Sequence, residues 1–159
     1  MSHQTYLAPV LNWDTAKVQV EAWRADGLKV GFTNGCFDIL HKGHVILMAK
    51  AAQTCDRLIM AINSDASVRR LKGPTRPVND QDARATVLSG LRALDMIVMF
   101  GDNPDEGDTP AKIVEVLQPD VIIKGGDYKP EEVVGRETVT ARGGEIVIIP
   151  FEDGYSTTS

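Results

Sequence analysis

His41 and His44 stand three residues apart with Gly43 between them, where an apolar run gives way to a helical pattern. Two imidazoles at that spacing on a strand-to-helix turn suit the handling of phosphate. The first N–H groups of a helix lack intrahelical partners and the helix dipole is positive there, so an anion is stabilised before any side chain contributes. Gly43 admits a ligand close to the backbone, and the imidazoles add directional donors. Two other readings fit the same residues: a helix-start pair that only packs or caps, and a zinc site using Cys36 with both histidines.

The elements that must position this turn are a buried strand at Val30-Gly31-Phe32-Thr33 and a helix from His44 to Ala52, rich in good helix formers. Further apolar runs follow at Arg57 to Ile62, Met96 to Phe100, Asp120 to Ile123 and Glu145 to Ile149. They are short, rich in branched residues and not alternating, as strands covered on both faces should be. Helical patterns at Asp80 to Leu94 and Thr109 to Leu117 lie between them, with Pro110 suited to a first helical turn. The alternation predicts an α/β fold: a Rossmann-like, open, mostly parallel five-stranded sheet with helices on both faces and a ligand crevice at the carboxyl ends of the strands. An amphipathic helix from Thr15 to Ala25, with Asp14 as cap and Gly27 as stop, reads as an appendage over residues 1–28 to a single domain over 29–159.

In such a sheet the segments after each strand face one crevice. The first supplies Thr33, Asn34, Gly35, Cys36, Phe37 and Asp38 ahead of the histidines; the second supplies Asn63-Ser64-Asp65. Arg69-Arg70-Leu71-Lys72-Gly73-Pro74-Thr75-Arg76 then carries four cations and no acid, and reads as a solvated loop or as a flexible arm closing over phosphates. After the fourth strand, Lys124-Gly125-Gly126-Asp127-Tyr128 pairs glycines that permit close approach with a carboxylate able to accept from a base or ribose. After the fifth, Gly154 precedes Ser156, Thr157 and Thr158 at the start of a further helix, a second anion site. Taken singly, Ser156 and Thr157 could be caps, Asp127 a turn residue and Ser64 or Asp65 a helix cap. The acidic loop Asp102 to Asp108 reads as a solvated turn rather than a metal site.

A net charge of −5 argues against general binding of nucleic acid, which needs a broad basic surface. The apolar segments are too short to span a membrane and the first residues lack a leader pattern, which reads as cytoplasmic. Cys36 and Cys55 are too few for a disulfide framework. Neither G-x-G-x-x-G after the first strand nor G-x-x-x-x-G-K-[ST] occurs, so the dinucleotide and P-loop fingerprints are absent.

Asn34 to His44 closely resembles the H-x-G-H region of the cytidylyltransferase-like nucleotidyltransferases, and Gly154-Tyr155-Ser156-Thr157-Thr158 resembles their second signature, G-x-S-T-T. Within that superfamily, Asn63-Ser64-Asp65, Arg70 to Gly73, Arg76 to Asn79, Lys124 to Glu132 and Phe151 to Gly154 resemble the D-glycero-β-D-manno-heptose 1-phosphate adenylyltransferases. The resemblance implies transfer of AMP from ATP to a heptose 1-phosphate, giving ADP-heptose and pyrophosphate for the lipopolysaccharide inner core. It implies His41 and His44 at the triphosphate, Lys72 neutralising charge from a mobile loop, and Ser156, Thr157 and Thr158 at the phosphates. Gly35, Phe37, Gly43, Gly125, Gly126 and Asp127 would bind the nucleotide, and Thr33, Asp38 and Arg84 the substrate side. Mg2+ would travel with ATP, no metal would be held by the protein alone, and a homodimer is implied. Phe151 replaces the arginine that glycerol-phosphate cytidylyltransferases carry before the second signature, which weakens CTP as nucleotide. Tyr155 stands where some heptose enzymes have cysteine. The family continues into a helix beyond Ser159, and some relatives add a kinase domain. The alternatives are a cytidylyltransferase for another phosphorylated alcohol or sugar, and a non-catalytic nucleotide-binding module.

Overall fold

The computed structural model describes residues 6–151. The chain runs α1 (Trp13–Ala25), β1 (Val30–Gly35), α2 (Lys42–Ala52), β2 (Arg57–Asn63), α3 (Asp65–Lys72), α4 (Gln81–Ser89), β3 (Met96–Phe100), α5 (Ala111–Leu117), β4 (Val121–Gly125), α6 (Arg136–Ala141) and β5 (Glu145–Ile149). The strands form one five-stranded parallel sheet in the order β3-β2-β1-β4-β5. Chain order reverses between β1 and β4, which opens a crevice at their carboxyl ends.

Alternation along the strands divides the core. Val30 and Phe32 of β1, Ile59 and Ala61 of β2 and Ile122 of β4 pack with α1, α5 and α6 on one face, while Leu58, Met60 and Ile123 pack with α2 and α4 on the other. Full burial of one such side chain stabilises by roughly 1.5–3 kcal/mol. Both faces are covered, which is why the strands read as unbroken apolar runs.

The first helix starts two residues earlier than its sequence pattern suggests, because Asn12 and not Asp14 caps it by accepting from Thr15 N at 2.8 Å. It is no loose appendage. Ala16 and Val20 are wholly buried in the sheet core, Trp13 Nε1 donates to Met99 O at 2.8 Å, and Arg24 donates to Leu117 O at 2.6 Å. Residues before it also join the sheet edge, where Val10 bridges Ile97 in parallel.

The basic segment is also more ordered than a loop. Ser64 accepts from Ser67 N at 3.1 Å and starts α3, so Arg69, Arg70 and Lys72 fall in its last turn, where cations complement the helix dipole. Lys72 therefore sits on a helix end, not on a mobile loop. The helix expected to reach Leu94 stops at Ser89, with Gly90 as its cap, and α5 begins at Ala111 with Pro110 in the capping position.

Candidate functional site

At the crevice, β1 ends in Asn34-Gly35 and α2 begins at Lys42. His41 caps α2, its Nδ1 accepting from Gly43 N at 3.0 Å, while His44 Nδ1 accepts from His41 N at 3.2 Å. The rings stack with centroids 3.9 Å apart. A neutral imidazole whose Nδ1 accepts must carry its proton on Nε2, so the reciprocal cap turns both outer nitrogens into donors. His41 Nε2 is buried and has no partner among the described residues. Burial, and then the neighbouring His41, hold His44 below the usual imidazole range, which favours the neutral tautomer that the cap requires. Capping and ligand donation thus use opposite nitrogens of the same rings. Among the described residues no group of three or more His, Cys, Asp or Glu is placed to hold a metal, so Cys36 and the two histidines do not assemble one.

Phe37 connects strand and helix at φ 50°, an uncommon backbone region for a bulky side chain. Its ring stands edge-on to His44 at 5.2 Å, and a Cβ on Gly35 would come within 2.4 Å of it. Gly35 therefore makes room for Phe37 behind the histidine pair. Thr33 is buried near the end of β1.

Asp38 and Arg84, expected on the substrate side, are committed to the protein itself. Asp38 accepts from Val78 N and Asn79 N, both at 2.8 Å, and from Arg76 Nε at 3.0 Å. Burial pushes its carboxyl up, but the Asn79 and Val78 N–H bonds and the Arg76 guanidinium outweigh that and leave it below the usual carboxylate range. The Arg84 guanidinium, 1% exposed, donates to Asn79 O, Cys36 O, Asn63 O and Asp65 Oδ1 at 2.7–3.1 Å. It ties the ends of β1 and β2 to the start of α4. Lys72 is exposed on the rim, where its charge and that of Arg84 oppose the burial that pushes the Cys36 thiol up.

On the far side of the crevice, Gly125 ends β4 under α2: a Cβ there would meet Leu47 at 2.6 Å. Gly126 follows at φ +114° and donates to Ile149 O at 2.9 Å, holding the turn that carries Asp127. Lys124, which the sequence places in this crevice segment without a role of its own, lies on the opposite face. Its alternation with Ile122 assigns it to the α5 side, a signal present in the sequence. Burial lowers its ammonium from the usual lysine range, and Nζ stands 5.2 Å from the Tyr128 ring centroid. Ser156, Thr157 and Thr158 lie outside the described residues.

The cytidylyltransferase-like family model matches residues 32–159. The chain is 54% identical over 152 residues to the bifunctional protein HldE of Hyphomonas neptunium, covering 96% of this chain and 30% of that protein. The HldE of Nitrobacter hamburgensis is 55% identical over 146 residues, 92% of this chain and 29% of the relative. The chain thus spans less than a third of these relatives. A lipopolysaccharide core biosynthesis protein from Thermoplasma volcanium superposes with a TM-score of 0.61 at 26% identity, covering 79% of this chain and 98% of that one. Pantoate-beta-alanine ligase from Francisella tularensis, with a TM-score of 0.64 at 14% identity over 94% of this chain and 69% of its own, shares the fold.

Proposed function

The chain belongs to the cytidylyltransferase-like family, and we propose that it transfers AMP from ATP to D-glycero-β-D-manno-heptose 1-phosphate, giving ADP-heptose and pyrophosphate on the route to the lipopolysaccharide inner core. The observation that carries this reading is the histidine-capped start of α2, which presents two Nε2 donors at the carboxyl edge of a parallel sheet. Its similarity to HldE proteins and to a lipopolysaccharide core biosynthesis protein supports the same choice of acceptor.

The chemistry asks little of a base. A phosphate oxygen of the acceptor is already ionised; it bonds to the α-phosphorus in line as the bond from that phosphorus to the α,β-bridging oxygen breaks, and the electron pair leaves on pyrophosphate. The protein's work is to align two anions and to meet the charge that grows between them. His41 and His44 donate to the triphosphate, Gly43 leaves its backbone approachable, and Lys72 approaches from the end of α3. Ser156, Thr157 and Thr158 are assigned to the phosphates, and Gly125, Gly126 and Asp127 to the adenosine. Gly35 and Phe37 act beneath the nucleotide by seating His44. Thr33 stays on the substrate side, while Asp38 and Arg84 act as positioning residues through the loops they tie. Mg2+ enters with ATP, held mainly by phosphates and water. A cytoplasmic homodimer that binds neither nucleic acid nor membrane completes the reading; no helix among the described residues is long and apolar enough to cross a membrane.

The test is pyrophosphate release from ATP and from CTP with a panel of sugar phosphates. Release that requires both ATP and the heptose 1-phosphate is the expected result. Preference for CTP would move the chain to the cytidylyltransferase reading, and ATP binding without any acceptor-dependent release would leave a nucleotide-binding module.

A further inference from the structure

Beside the β1–β4 crevice, on the face opposite α2, lies a cavity of about 240 Å³ that none of the roles above uses. Its polar lining comes from Asn34, Asp108, Thr109, Lys124, Tyr128 and Glu132. Drug-sized and cofactor sites run from about 300 to 1,000 Å³, so this one suits a partner smaller than a nucleoside triphosphate.

Lys124 is the informative member. It is half-buried and forms no ion pair among the described residues; its Nζ stands over the Tyr128 ring. Asp108 does not neutralise it, because that carboxylate already accepts from Arg70 Nη2 at 2.9 Å and Ser67 Oγ at 2.7 Å. A half-buried ammonium without a counter-ion is partly desolvated at a cost, and an anionic ligand in the cavity it lines offsets that cost. The other groups have a different chemistry: Glu132, Asn34 and Thr109 accept from or donate to hydroxyls, and Tyr128, 43% exposed, offers an aromatic face to C–H groups. One cation for a phosphate, acceptors for several hydroxyls and a ring for an apolar edge together describe a phosphorylated polyol.

The sheet places this cavity where an acceptor must stand. Alternation sends Asn34 and Lys124 to the α5 face, while Gly125 and the capped histidines belong to the α2 face. A nucleotide held on the α2 side would have its α-phosphate at the shared carboxyl edge, open to attack from the other side.

We propose that this cavity is the acceptor subsite and that Lys124 binds the phosphate of the incoming sugar phosphate, with Asn34, Thr109, Tyr128 and Glu132 recognising the sugar. It rests on the nucleotidyl-transfer reading above and adds to it the place and the recognising residues of the acceptor. Lys124→Gln removes the charge at similar length, and Lys124→Arg restores it. Binding of D-glycero-β-D-manno-heptose 1-phosphate is measured directly, with a non-transferable ATP analogue present, beside steady-state pyrophosphate release. The expected result is a loss of acceptor affinity of at least tenfold in Lys124→Gln, partial recovery in Lys124→Arg and ATP affinity within twofold of the parent. In the unmutated chain, the sugar phosphate should slow acylation of the Lys124 amine while ATP alone does not. Unchanged acceptor affinity, a loss confined to ATP, protection by ATP alone, or no binding of the sugar phosphate to the parent would each overturn the assignment. If the parent binds the acceptor through Lys124 but releases no pyrophosphate, the transfer reading falls and the subsite stands; if release proceeds unaltered in Lys124→Gln, the reverse holds.

Discussion

The two flanks of the crevice use their polar residues in opposite ways. On the β2 flank, Asp38, Arg84, Asp65, Arg70 and Asp108 bond to one another and to loop backbone, so that Arg84 alone meets four acceptors. On the flank between β1 and β4, His41 Nε2 has no partner among the described residues and Lys124 has an aromatic ring in place of a counter-ion. Charged residues that look equally suited to ligands in the sequence thus divide into a saturated scaffold and an edge whose donors are left without protein acceptors among the described residues. Saturated groups hold geometry; groups left with a donor to give are those a ligand can use.

The comparison breaks most decisively at Arg84. Replacing it with Met leaves Asp65 and three carbonyls without their donor, and breaking a buried ionic tie of this kind costs about 3–5 kcal/mol. Denaturant titration should show that loss in stability. A variant that kept its stability but lost acceptor binding would instead make Arg84 a ligand contact.

His41 tests the other side. His41→Asn keeps an N-cap acceptor, which Asn supplies as well as any residue, but removes the outer donor. Stability should remain within about 1 kcal/mol of the parent, while turnover falls at least about a hundredfold, the scale seen when one transition-state donor is removed. Retained turnover would reduce the histidine pair to a cap.

The smallest effect is in pH. His44 is held below its ordinary value, so the unfolded chain binds more protons than the folded one as pH falls through the ordinary histidine range, near 6.5. Stability should therefore decline from about pH 6.5 downwards until the folded-state value is passed, and be fully present above that range. One proton sets a ceiling of about 1.4 kcal/mol per pH unit, and the partial exposure of the ring keeps the slope below it. His44→Asn should flatten that slope; an unaltered slope would place its origin elsewhere. Asp38 acts in a separate window, since its depressed carboxyl contributes stability above the ordinary carboxylate range and loses it as pH falls through the folded value.

Much of the fold was legible because the strands are covered on both faces and so read as short branched runs, two of them, Met96–Phe100 and Glu145–Ile149, to the residue. The segment Asp65–Lys72 was not, because its three apolar residues are matched by three cations crowded at its end; what makes it a helix is the Ser64 cap and the burial of Ser67 and Val68 beneath it. The first helix looked detachable because its apolar stripe is thin, yet Ala16 and Val20 are small enough to let it settle closely on the sheet.

At the site, the spacing of His41, Gly43 and His44 was sufficient to locate the strand-to-helix turn to which the phosphate role is assigned, since a capped helix start is a local structure made from neighbouring residues. The roles of Asp38, Arg84 and Lys124 were not local. Asp38 is tied to residues about forty positions away, Arg84 to Cys36 and Asn63, and Lys124 is isolated from carboxylates that stand near it only in space. Local pattern determined where the strands end and which turn can hold an anion, because those properties need only a helix start and its neighbours. Which charges are neutralised and which are left for a ligand was decided by the tertiary structure, because a charge's partner is set by distance in space and not by separation along the chain.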